Sequence, residues 1–158
     1  MSGNLFDLIR SRGPSTEKTL IETAAGERIS YGGMLARSGR LAHALVRRGV
    51  RPGDRVAVQV EKTPENLLLF LATLRAGAVY LPLNAAYTIA ELDYFIGDAV
   101  PKLVVCDPAK REGASAIAQA RNAAVDTLDA SGQGSLIDLA TQSSPDFADV
   151  PREELSLR

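Results

Sequence analysis

Few side chains in this 158-residue chain could do chemistry: it has one histidine, one cysteine and no tryptophan, and 18 lysines and arginines face 19 aspartates and glutamates. His43 and Cys106 stand far apart in sequence, and no carboxylates keep a ligand-like spacing around either, so a zinc site is not predicted. No G-x-G-x-x-G and no G-x-x-x-x-G-K-[ST] follows an apolar run, which removes the usual phosphate-cradling loops. A nucleophile elbow is absent too, so no catalytic residue and no metal ligand is assigned. What remains is a set of polar residues placed just after short apolar runs: Glu61 and Lys62, Asn84 and Tyr87, and Asp107.

Those positions gain meaning from the elements before them. The run "RVAVQV" alternates valines at 56, 58 and 60, "AVYLPL" stops at Pro82, and "KLVVC" is apolar throughout, the pattern of a strand buried on both sides. Between these strands lie helical segments with punctuated ends. Thr63-Pro64 supplies a cap and a proline at the first helical position, Gly77 ends the helix "PENLLLFLATLRA", and Thr88 with Glu91 matches a capping box. Asp107-Pro108 repeats the cap-and-proline device before an alanine-rich helix, and "AVDTL" is a last strand. Such alternation predicts an α/β fold, a mostly parallel sheet with helices on both faces. Ligands of such sheets sit beyond the carboxyl ends of the strands, which makes Asn84, Tyr87 and Asp107 the binding candidates.

Ahead of this unit come a short amphipathic helix in "NLFDLIRSRG", a hairpin from "KTLIET" and "RISY", and a helix over 31–48. On that helix Met34, Leu35, Ala42, Leu45 and Val46 share one apolar arc, while His43 falls outside it and is expected to be exposed. The arginines at 37, 40, 47, 48 and 51 read as its solvated face. Cys106 is expected to be a small core residue near a strand end. From 146 to 158 no period is sustained, which predicts a linker or poorly ordered tail after a unit over 1–145.

Composition bounds the partners. With 46% hydrophobic and 23% charged residues and a net charge of -1, the chain has the make-up of a globular domain and no electrostatic case for nucleic acid. No apolar run nears the ~20 residues needed to cross a bilayer. A lone cysteine without a leader segment predicts a cytoplasmic protein.

The run from Ile29 to Asp107 resembles the N-terminal region of AMP-forming acyl-CoA synthetases, within the adenylate-forming superfamily. "GVRPGDRVAV" and "LRAGAVYLPLN", both packing motifs, carry most of that likeness, and "LPLNAAYTIAELDYFIGDAVPKLVVCD" is most similar to malonyl-CoA synthetases. One departure is local: where the family has Ser or Thr, Tyr, any residue and Glu, this chain has Ser30, Tyr31, Gly32 and Gly33, which weakens a helix start. The resemblance implies activation of a carboxylic acid as its acyl-adenylate and transfer to coenzyme A, with ATP, Mg²⁺ and coenzyme A as cofactors of the parent enzyme. It also implies that the residues handling them lie in segments other than residues 1–158. The expectation is therefore a chain inactive alone, which pairs with the remainder of the enzyme or self-associates through an uncovered face. A stand-alone small-ligand-binding domain and a non-catalytic interaction protein are the competing readings.

Overall fold

Val56 and Val58 point to one side of their strand and Ala57 to the other, and this split organises the molecule. The computed structural model describes residues 3–152. Its centre is a four-stranded parallel sheet built from β3 (Arg55–Gln59), β4 (Val79–Pro82), β5 (Leu103–Cys106) and β6 (Ala124–Thr127), in the order β4-β3-β5-β6. Val56 pairs with Tyr80 on one side and Leu103 on the other, and Leu103 pairs onward with Ala124. An antiparallel hairpin of β1 (Thr19–Glu22) and β2 (Arg28–Ser30) stands apart from this sheet, as the two N-terminal strand signals predict.

Helices cover both faces. On the Val56 side lie α1 (Leu5–Arg12), α2 (Tyr31–Arg47), α3 (Pro64–Arg75) and α6 (Ser135–Thr141), which bury Phe6, Leu41, Leu68 and Leu136 against the sheet. On the Ala57 side lie α4 (Ile89–Ala99) and α5 (Arg111–Gln119), with Leu92, Ile96, Ala114 and Ile117 packed on Val104 and Cys106. The mostly parallel, doubly covered α/β sheet is thus present, with the hairpin beside it.

The helix-end signals act as their chemistry requires. Thr63 accepts from the Asn66 amide at 3.2 Å and precedes Pro64, while Gly77 takes a φ of 70° after α3. Thr88 and Glu91 form a complete capping box at the start of α4. Pro82 carries no N–H and sits at the end of an edge strand, where no neighbour needs one.

The glycines that open α2 have a packing reason. Ser30 keeps half of the capping box by accepting from the Gly33 amide at 3.0 Å. Gly32 donates its amide to the Thr16 carbonyl at 2.8 Å, and a Cβ there would stand 3.1 Å from the same oxygen. The chain before β1 therefore lies against the start of α2.

Three expectations need correction. Val46, placed in the apolar arc of α2, is 48% exposed, because the stripe that meets α3 and α6 runs through Met34, Ser38, Leu41, Ala42 and Leu45. His43, expected in solvent, is half-buried: its Nε2 donates to the Asp146 carbonyl at 2.6 Å and its ring meets Phe147 edge-on. Both contacts come from the stretch read as a poorly ordered tail. Residues 153–158 of that stretch lie outside the described residues, but 146–152 are pinned. Arg75, 2% exposed, donates to Asp149 at 2.5 Å, to the Phe147 carbonyl and to the Leu35 carbonyl, and stacks on the Phe6 ring. Arg40 holds the Ser143 carbonyl, and Gly39 lets Pro145 approach so closely that a Cβ would collide with its oxygen. This strap, residues 143–152, is held largely through its backbone carbonyls, so its own side chains show no period.

Candidate functional site

The parallel strands deliver their last residues to one rim, and each predicted site residue stands there in a different role. Glu61 and Lys62 follow β3 and are exposed. Asn84 follows β4; its Oδ1 accepts from the Ala86 amide at 2.9 Å, an Asx turn that starts the loop to α4. Tyr87 is half-buried and stacks on Phe95 with ring centres 4.8 Å apart. Asp107 turns back on its own chain, accepting from the Ala109 amide at 2.8 Å to cap the short 3₁₀ turn Pro108–Lys110. The rim brings these residues to one edge without bringing their side chains together.

What joins them is a residue that strand patterning passes over. Gln59, last in β3 and 1% exposed, donates from Nε2 to the Asn84 carbonyl at 3.1 Å and the Tyr87 carbonyl at 3.2 Å. Its Oε1 is the one buried side-chain oxygen or nitrogen without a hydrogen-bond partner among the described residues. Lys110 reaches the same loop from the far side and donates to the Ala85 carbonyl. The signal was available as a single amide breaking the apolar run "RVAVQV" at a strand's carboxyl end.

Two open grooves flank loop 84–87. One, about 600 Å³, is lined by Val58, Glu61, Lys62, Asn66, Tyr80 and Asn84 among others. The other, about 610 Å³, is lined by Tyr87, Ile89, Lys110, Glu112 and Gly113 among others. In the first, the Tyr80 hydroxyl donates to Asn66 Oδ1 at 2.6 Å, and burial raises the phenol pKa, so Tyr80 acts there as a neutral donor. Volumes of this size suit a small molecule, and the linings mix apolar, amide and charged side chains.

Reactive groups are not gathered at the rim. Among the described residues no three or more of His, Cys, Asp and Glu cluster as metal ligands. Cys106 is fully buried beneath the rim, and burial pushes its thiol up to about 11, which keeps it protonated and unreactive at neutral pH. Asp126, also fully buried, is bound by Arg48 at 2.7 and 3.0 Å and by the Ser135 hydroxyl at 2.8 Å, so its charge is spent joining α2, β6 and α6. No helix among the described residues is long and apolar enough to cross a membrane.

Known proteins are similar to this chain in sequence and fold. Residues 10–155 match the family described as AMP-binding enzyme. ATP-bound MatB from Rhodopseudomonas palustris superposes with a TM-score of 0.94 at 55% sequence identity, over 97% of this chain and 30% of that one. A feruloyl-CoA synthase from an Amycolatopsis species is 36% identical over 96 residues, 61% of this chain and 20% of that protein. Malpinin synthetase of Mortierella alpina is 31% identical over 107 residues, 68% of this chain and 1% of its own length. The chain thus spans 30% of the solved MatB chain and smaller shares of these two curated relatives.

Proposed function

The chain belongs to the AMP-binding enzyme family, and we propose that it acts as the N-terminal subdomain of an AMP-forming carboxylic acid–CoA ligase with malonate as its acid, the pinned segment 146–152 included. The likeness to MatB at 55% identity over 97% of the chain is the observation that carries this reading. In the reaction, a carboxylate oxygen attacks the α-phosphorus of ATP and pyrophosphate leaves; the thiol of coenzyme A then takes the acyl group and AMP leaves. Mg²⁺ would offset the phosphate charge.

This chain's own residues supply support. The rim of β3, β4 and β5, with the Asn84–Tyr87 loop, offers a shaped wall with grooves on either side, lined in part by Glu61 and Lys62 and by Lys110 and Glu112. The partner is the rest of the ligase, which would complete the grooves; in its absence self-association is the outcome expected in the cytoplasm or in solution.

A split-enzyme assay tests the proposal. This chain is co-expressed with the part of MatB that lies outside the 30% it matches, and malonate-dependent ATP–pyrophosphate exchange is measured. Exchange is expected from the pair and only at blank level from either piece. Exchange by this chain alone, or a stable co-purifying pair with none, would overturn it.

A further inference from the structure

We propose that Gln59 is a positioning residue which, with Lys110 as a second arm, fixes loop 84–87 as the partition between the two grooves of the ligase rim. The inference rests on the ligase reading for its consequence, but not for its geometry.

Loop 84–87 makes little regular hydrogen bonding of its own: the Tyr87 amide returns to the Asn84 carbonyl at 3.0 Å, and the Asn84 side chain accepts from the Ala86 amide. Three of its four carbonyls are instead held from outside. Gln59 takes those of Asn84 and Tyr87, and Lys110 takes that of Ala85. Gln59 comes from the strand beneath the loop and Lys110 from the 3₁₀ turn after β5, so the two arms approach from different elements.

The orientation of the Gln59 amide is determined by these partners. Both acceptors are carbonyls, which only the NH₂ end can satisfy, and so Oε1 is left buried without a partner. A residue chosen for packing alone would be apolar at a site 1% exposed, because an unsatisfied buried acceptor is unfavourable. The amide's role is therefore to hold the loop. Asn84 and Ala85 line one groove and Tyr87 lines the other, so a shift of this loop moves a wall of both. Gln59 reaches neither groove and acts only through the backbone it holds.

The test has two arms. In the full chain, amide hydrogen exchange at Ala86 and Tyr87 is compared among wild type, Gln59→Met, which keeps length without donors, and Lys110→Met. Each substitution is expected to speed exchange there by about tenfold while Val104 and Val105 in β5 are unchanged. Lys110 is only half-buried, so its variant keeps the test open should Gln59→Met not fold. Unchanged loop exchange in the variants that fold overturns the clamp.

The second arm carries the same substitutions into a chimera of residues 1–152 with the rest of MatB. A positioning role raises the KM for ATP or malonate by about tenfold with kcat nearly kept. A merely structural role lowers the active fraction and leaves KM alone, and that result overturns the proposed effect on the rim. A wild-type chimera without activity would fail the ligase reading, while the exchange arm still decides the clamp.

Discussion

The two faces of the central sheet are held by different means. On the α2–α3 face, a large apolar cluster is crossed by a buried cation: Arg75 joins α2, α3 and the strap through Asp149, Ser38 and the carbonyls of Leu35 and Phe147. On the α4–α5 face, a smaller cluster packs without a buried ion pair among the described residues, and polar side chains near it are turned to the rim, as Gln59 and Lys110 are. The first arrangement locks distant segments together. The second leaves backbone at the carboxyl rim shaped and accessible. A buried cation network thus marks one face and not the other, while grooves open at the carboxyl rim on both.

The largest effect that could break this division is at Arg75. Arg75→Ala leaves Asp149 with only the more exposed Arg10 and strips the Leu35, Ser38 and Phe147 oxygens of their buried donor, and removal of one member of a buried pair typically costs about 3–5 kcal/mol. Urea unfolding should show that loss, whereas Lys110→Ala on the opposite side should stay within about 1 kcal/mol. Equal losses at the two sites would erase the distinction.

An intermediate effect comes from Cys106, inside the α4–α5 cluster. The unfolded thiol ionises near its ordinary value of 9.0, while burial holds the folded thiol protonated up to about 11. Between those values the unfolded state gives up its proton first, so stability present below pH 9 is lost as pH rises toward 11. The difference corresponds to about 2–3 kcal/mol. Denaturant curves for wild type and Cys106→Ala across pH 8–11 should converge or cross in this window; parallel curves would show that the thiol is not shielded.

The smallest effect sharpens the comparison at the rim. Thr88→Ala removes the capping box of α4 and should cost about 1 kcal/mol by urea unfolding. Ser30→Ala, which removes half a box at α2, should cost less. The reverse order would mean that the start of α2, braced by Thr16, depends on its cap more than the start of α4 does.

Much of the fold is legible because local signals agree with the global arrangement. The Thr63-Pro64, Gly77, Thr88–Glu91 and Asp107-Pro108 devices each mark a helix end found in the structure, and the uninterrupted apolar run of 103–106 belongs to a strand buried on both faces. The strap over 143–152 is not legible, because its partners are arginine and histidine side chains more than 70 residues away meeting its carbonyls. For the same reason His43 reads as exposed: only the returning strap covers it. At the rim, periodicity locates Asn84, Tyr87 and Asp107, since strand ends can be placed by pattern. It also reads Asp107 as a cap of its own helix, but it does not reveal that Gln59 links the other two, because side-chain-to-carbonyl bonds across elements leave no spacing in the sequence.

Steady-state kinetics of the chimera in which residues 1–152 replace the matching part of MatB test the ligase role most directly. Malonate-dependent release of AMP and pyrophosphate, with acyl transfer to coenzyme A, is the expected result. A folded chimera that binds ATP but shows no malonate-dependent AMP release would contradict it.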